Sequence, residues 1–373
     1  MDALDLLRDY IAIPSVNPMG RDDLPESITG EARYAERVAQ DFSRLGLDHE
    51  LIGVAGRLSV FAEARTADAT DTVLIASHLD TVPVDTMTID PFDPKLEAGA
   101  VLGRGATDTK GGLAAAVAAL AQVLSRGKLK RNVILAGQAD EESGSIGAYD
   151  LIRELSGKRP LWGIATEPTE LRVVNQHKGV ARVTVTAKGV AAHSSDPTQG
   201  DNAILHLCRG LLRLEALGAG LAERRDPVLG PPTLSIGVVR GGHAPNIVPD
   251  RALALVDRRM IPGETEASLT AEFAEALAGS PLSFDCHVEK PPLGVPPDSA
   301  AVLACSEALE ALGLESAPKH VAFGTDAGLF DHAGMPCVVW GPGSILQAHT
   351  KDEFLRVDQL EAATRFFVRL FGG

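Results

Sequence analysis

Thr72-Val-Leu-Ile-Ala-Ser-His-Leu-Asp80 decides how the rest of this chain is read. Its first five residues form a short, unbroken apolar run, the pattern of a strand buried on both faces. Such a strand belongs to a parallel sheet covered by helices. It runs into a histidine and an aspartate two residues apart, which extended backbone points to one side. Asn132-Val-Ile-Leu-Ala136 and Leu161-Trp-Gly-Ile-Ala165 repeat the apolar run, and Cys337-Val-Val-Trp340 closes the set. Helical segments lie between several of them, notably 112–126 and 144–155. Ala35, Val38, Ala39, Phe42 and Leu45 also fall at helical spacing, with Gly46 as a stop. This order predicts an α/β domain with a largely parallel central sheet.

The middle third changes character. Ala181-Arg-Val-Thr-Val-Thr-Ala-Lys188 alternates apolar and polar residues, as a strand with one wet face does. Strands are expected at 234–239 and 252–256, and helices at 202–217 and 266–278. These describe an α+β module inserted into the α/β domain. The expected division is 1–176, 177–290 and 291–373, with Gly179 and the Pro291–Pro297 region as hinge ends. A chain of 373 residues is long for one core, which agrees with two domains.

Composition narrows the function. Hydrophobic content of 45% and charged content of 23% are those of a soluble globular protein. A formal charge of −15 argues against nucleic acid or an anionic membrane as partner. Cys208, Cys286, Cys305 and Cys337 are scattered, with no C-x-x-C, and read as reduced thiols of a cytoplasmic protein. The start lacks the basic region of a secretory signal. The apolar stretch 111–124 is too short to span a bilayer and reads as a buried helix.

The chemistry sits in spaced packets: His78-Leu-Asp80, Asp108, Glu141-Glu142, Glu167 and, far downstream, His349. Imidazole nitrogen and carboxylate oxygen are the ligands of zinc-like ions, and two adjacent ions share a carboxylate. The first four packets lie at or just after the carboxyl end of an expected strand, the edge where open α/β sheets bind ligands. Asp108 stands in Gly103-Arg-Gly-Ala-Thr-Asp-Thr-Lys-Gly-Gly112, where glycines let the backbone approach an ion closely. A dinucleotide-binding loop is the rival reading. It fails because an acid at position 108 replaces the third glycine and would repel a pyrophosphate. Glu141 and Glu142 are adjacent and point apart, so one can bind metal while the other acts as a base. Asp80 can fix the tautomer of His78 if the chain turns back towards it.

This string of motifs resembles the co-catalytic zinc amidohydrolases, the family of acetylornithine deacetylase, succinyl-diaminopimelate desuccinylase, aminoacylase and related carboxypeptidases. The matching segments are Ser77–Pro83, Gly103–Gly112, Asp140–Gly144, Thr166–Thr169, His193-Ser-Ser-Asp-Pro197, Asn246-Ile-Val-Pro249 and the His349 neighbourhood. They cover nearly the whole chain. Gln176-His-Lys-Gly179, His193–Pro197 and Gly341–His349 look most like acetylornithine deacetylase, whereas Gly103–Gly112 is closer to the desuccinylase form. The resemblance implies a zinc-peptidase-like catalytic domain with an inserted α+β lid and dimerisation domain.

It also implies roles. Asp108 would bridge two divalent ions, zinc foremost, with cobalt or manganese suited to the same shell. His78 and Glu167 would complete one ion's shell, Glu142 and His349 the other's. Asp80 would orient His78. Glu141 would be general acid/base for a bridging hydroxide that attacks an amide carbonyl. His193 would stabilise the oxyanion from the inserted domain of a partner subunit, which implies a homodimer. Arg259 would grip a substrate carboxylate, helped by Asn246, Gly324 and Thr325. The implied substrate is a small N-acyl amino acid, as in an acetylornithine deacetylase of arginine biosynthesis. A desuccinylase and a dipeptidase or carboxypeptidase of the same family remain as alternatives.

Overall fold

The computed structural model describes residues 1–67, 69, 71–156 and 162–373. The chain divides into two compact units. One comprises Met1–Asn175, Val295–Lys319 and Thr325–Gly373, the other Gln176–Gly294 and His320–Gly324.

The first unit is built on a mixed sheet. Its middle strands are Asn132–Gln138, Thr72–His78, Trp162–Ala165 and Cys337–Val339, all parallel to one another. Arg57–Ala64 and His49–Val54 extend it antiparallel beyond Asn132–Gln138, and Val174–His177 begins the antiparallel margin on the other side. The parallel centre coincides with the continuous apolar runs, because these strands are covered on both faces. Of the expected 161–165 strand, Trp162–Ala165 is present and Leu161 lies outside the described residues.

One covering element is the helix Gly111–Ser125, whose residues from Gly111 to Leu120 are all buried. It packs against the long C-terminal helix Val357–Gly372 and against Ala3–Ile11. A helix apolar around its whole circumference belongs in a core. Among the described residues no helix is long and apolar enough to cross a membrane.

A small antiparallel sheet of Lys95–Glu97, Ala100–Leu102 and Phe354–Arg356 stands apart from the central one. Its register sets Phe354 opposite Leu102 and so ties the segment after His349 to the segment before Asp108.

The second unit is an antiparallel sheet in the order Thr233–Gly241, Arg251–Met260, Gly179–Lys188, Leu282–Lys290. Helices Ala203–Leu221 and Glu266–Ala276 bury one face of it through Leu207, Leu214, Phe273, Val183, Val185 and Val256. The alternating pattern of 181–188 arises here: alternate residues enter this core and the rest face outward. Gly179 lies against Pro292, where an added Cβ would come within 2.6 Å of the proline nitrogen. Residues 320–324 return to this unit from the far end of the chain, which no local pattern announces.

Candidate active site

The parallel strands deliver three of the packets to one edge. His78 ends its strand, Asp140-Glu-Glu142 follows Asn132–Gln138, and Glu167 follows Trp162–Ala165. Asp108 differs from the sequence expectation. It follows the small outlying sheet rather than a central strand, in an irregular turn over Ala106–Lys110 that leads into the buried helix. His349 arrives from the Gly341–Thr350 loop with φ of 61°, a left-handed position uncommon for a non-glycine residue.

These residues converge. His78 Nε2 lies 2.9 Å from Asp108 Oδ1, and His349 Nε2 lies 3.2 Å from Asp108 Oδ2. Each oxygen of Asp108 therefore faces a different imidazole, the disposition of a bridging carboxylate. His349 Nε2 also meets Glu142 Oε1 at 3.0 Å, and Glu167 Oε1 stands 3.9 Å from His78 Nε2. Donor atoms of His78, Asp108 and Glu142 all lie within 4.8 Å of one another. The set is thus Asp108 at the centre, His78 with Glu167 on one side, and Glu142 with His349 on the other.

The electrostatics fit cations. Burial opposes ionisation of Asp108, but its hydrogen bonds to His349 and His78 prevail and hold its carboxyl well below the usual range. Hydrogen bonds to Asp108 and Glu142 raise His349 to about 10. Burial works against a charged His78, yet Asp108 and Asp80 hold its pKa well above the ordinary value. A cluster whose carboxylates draw protons onto its imidazoles attracts positive charge. Nitrogen and oxygen donors at these distances suit two divalent ions.

Asp80 does more than the sequence expectation gave it. His78 Nδ1 meets the backbone carbonyl of Asp80 at 2.9 Å, while the Asp80 carboxylate is 3.5 Å away. That carboxylate accepts the backbone N–H groups of Glu141 and Glu142, each at 3.0 Å, and the side chain of Asn17 at 2.8 Å. It fixes where the two glutamates begin. Asn17 also donates to Asp140, which is held in turn by Arg57 and by the N–H of Gly144. Arg57 is paired with buried Glu31 as well. Asp326 completes the underside, accepting from Gln138 and from the Ser145 hydroxyl. Asn17, Arg57 and Asp326 carried no sequence signal, because only folding brings them under this turn.

Glu167 is placed by two close approaches. A Cβ on Gly112 would meet Thr166 Cβ at 2.6 Å, and one on Gly341 would meet the carbonyl oxygen of Glu167 at 2.7 Å. Glycine at both positions lets the buried helix and the Gly341 loop clasp the Thr166–Glu167 turn.

The second unit brings His193 and Asn246 together. Ala192-His193 pairs antiparallel with Ile247-Val248, and the N–H of Ser194 donates to the Asn246 carbonyl. His193 Nδ1 accepts the N–H of Ser195 at 3.1 Å. An N–H can only donate, so the neutral ring carries its proton on Nε2. Arg258 is fully buried between Glu264 and Glu272, whereas Arg259 is part-exposed with Nε 2.9 Å from Asp257. This strand alternation leaves Arg259, not Arg258, facing outward. Gly324 lies in the second unit beside Val180 and the Lys178 carbonyl. Thr325, in the first unit, is buried, and its hydroxyl accepts the N–H of Ala327 at the start of a short helix.

Histidines and carboxylates gathered around one central aspartate, with a further glutamate beside them, are the equipment of a metal-dependent hydrolase. Residues 74–372 match the profile of peptidase family M20/M25/M40, and the chain belongs to that family. It is a metal-dependent amidohydrolase. An acetylornithine deacetylase of Myxococcus xanthus is 34% identical over 294 residues, covering 77% of this chain and 76% of that protein. Another, from Pectobacterium atrosepticum, is 31% identical over 367 residues, covering 94% and 92%. The fold matches the crystal structure of an M20 family metallo-carboxypeptidase from Sulfolobus solfataricus. That match has a TM-score of 0.83 and 22% identity, over 100% of this chain and 99% of that one.

Proposed function

We propose that this chain hydrolyses the amide bond of a small N-acyl amino acid, with N-acetylornithine the leading candidate, at a pair of divalent cations. The observation that carries the reading is Asp108, whose two oxygens each face a histidine. The two deacetylase relatives, at 34% and 31% identity, favour the acyl amino acid over a peptide. His78, Asp108 and Glu167 would hold one cation, and Asp108, Glu142 and His349 the other. Zinc suits these ligands best, with cobalt and manganese as substitutes. The cations would supply Lewis acidity and lower the pKa of water to about 7.

The protein residues then divide the remaining work. Glu141 is buried with its backbone N–H held by Asp80, and we assign its carboxylate to take the proton of the attacking water and pass it to the leaving amine. Asp80, itself held by Asn17, fixes the Glu141-Glu142 backbone so that one carboxylate ligates and the other transfers protons. His193 offers Nε2–H as the oxyanion donor, and we assign it to the active site of a partner subunit in a homodimer built through the second unit. Arg259 grips the substrate carboxylate, Asn246 assists beside His193, and Gly324 and Thr325 contribute hydrogen-bonding groups near the reacting amide.

The test is a panel of N-acetylornithine, N-acetylcitrulline, N-succinyl-diaminopimelate and dipeptides, each assayed with added zinc or cobalt. Hydrolysis of N-acetylornithine well ahead of the succinyl compound and the dipeptides is expected. A preference for dipeptides would overturn the substrate assignment. Activity surviving exhaustive chelation would overturn the cations.

A further inference from the structure

Glu353 has no place in the chemistry above, yet it is fully buried, with its carboxylate on the backbone of the candidate ligand Asp108. Its carboxylate is saturated with donors. Oε1 accepts the backbone N–H groups of Thr107 at 2.9 Å and Asp108 at 3.1 Å. Oε2 accepts the N–H of Gly105 at 3.0 Å and Nη1 of Arg104 at 2.8 Å. A carboxylate is the one side chain that accepts at both oxygens and donates nothing, so it can face four N–H groups at once. The backbone of Glu353 joins in, its carbonyl accepting the N–H of Gly103 at 3.0 Å. Arg104 reaches on to the carbonyls of Pro83 and Thr350.

These contacts converge on the two metal-bearing segments without a direct link between them in sequence. Residues 103–108 carry Asp108, residues 349–353 carry His349, and the pairing of Phe354 with Leu102 starts the contact. We propose that Glu353 is a positioning residue for the dinuclear centre: it locks the Asp108 backbone so that both aspartate oxygens reach the two histidines. This rests on the two-cation reading above. Both carboxylate oxygens of Glu353 are committed to these four N–H groups, so its task is positioning and not ligation. A glutamine there would keep one accepting oxygen and present an NH2 group to two N–H donors in either orientation. The Asp108 turn would loosen, and the site that shares Asp108 and His349 would suffer most.

The experiment counts ions per chain and measures zinc and cobalt affinity by titration calorimetry in the wild type, Glu353→Gln, Glu353→Asp and a control, Asp41→Asn. Asp41 is an equally buried carboxylate, bonded to Tyr10, Arg37 and Arg44 rather than to a segment that carries a proposed ligand. Outer partners of metal ligands commonly contribute about 10–100-fold in affinity. Glu353→Gln is expected to bind the second ion about 10–100-fold more weakly, with an altered visible spectrum of the cobalt form. Its kcat should fall while KM stays within about threefold, the mark of a lost catalytic geometry rather than lost substrate binding. Glu353→Asp keeps the charge but is too short to span both donor pairs, and is expected to lie between; it carries the test should Glu353→Gln not fold. Wild-type ion uptake and cobalt spectrum in the Glu353 variants overturn the inference, and so does an equal loss of the second ion in Asp41→Asn. A wild type that takes up no ion overturns the two-cation reading itself, an outcome separable from the others.

Discussion

Asp140, Glu141 and Glu142 show how neighbouring acids acquire different tasks. Asp140 adopts φ of 69° and gives its carboxylate to Asn17, Arg57 and the N–H of Gly144, whereas Glu142 gives its own to His349. Glu141→Gln removes the proton carrier but no ligand. Its kcat should drop about 10²–10⁴-fold while ion content stays at the wild-type level, checked by steady-state kinetics and elemental analysis on one preparation. Away from the cluster, His177 is buried, and burial lowers its pKa to about 4. The unfolded chain binds this proton near pH 6.5, so stability from the neutral ring is complete above that pH and declines as pH falls towards 4. The decline amounts to roughly 3 kcal/mol for a displacement of that size. Denaturant titrations of wild type and His177→Gln at pH 7 and pH 4.5 should show a shallower acid loss in the variant.

At the scale of elements, the strands deliver ligands and the glycines let other elements close over them. The helix Gly111–Ser125 touches the Thr166–Glu167 turn only because Gly112 has no side chain. Gly112→Ala should cost about 1–3 kcal/mol through overpacking, read from thermal or denaturant melts. It should also weaken ion uptake, because the turn it displaces carries Glu167. An unchanged melting temperature would mean that the contact yields without strain. The antiparallel pairing of Ala192-His193 with Ile247-Val248 is a second case. It joins residues separated by a helix and a long strand, so His193 and Asn246 become neighbours through register rather than sequence.

For the whole molecule, the proposed dimer makes a sharp prediction. Glu141→Gln and His193→Ala should each be inactive alone. If His193 serves the partner's site, mixed dimers of the two variants contain one intact site, and about a quarter of wild-type activity should return on random exchange. No recovery, in a mixture shown by sedimentation to exchange subunits, would place His193 in its own chain's site or outside the reaction. Removal of metal is the complementary test. Exhaustive dialysis against a chelator should abolish hydrolysis, and added zinc or cobalt should restore it.

Much of this was legible in the residues themselves. Runs such as Thr72–Ala76 and Asn132–Ala136 must be buried on both faces, which already demands a parallel sheet with helices above and below. The alternation in 181–188 requires a sheet with one wet face. His78, Asp108, Glu142, Glu167 and His349 could be nominated as ligands because spaced imidazole and carboxylate packets suit divalent ions and because their motifs resemble those of a co-catalytic metal family. Only the tertiary structure decided how they are held. Asp80 gives its carboxylate to the Glu141-Glu142 backbone, Asn17 and Arg57 support Asp140, and Glu353 ties the Asp108 turn to the His349 loop. None of these partnerships has a local period or a spacing, since each joins segments tens to hundreds of residues apart. Sequence pattern records which faces must be buried. Which distant N–H a buried carboxylate will meet is settled only when the chain has closed, because hydrogen bonds depend on distances that no one-dimensional order contains.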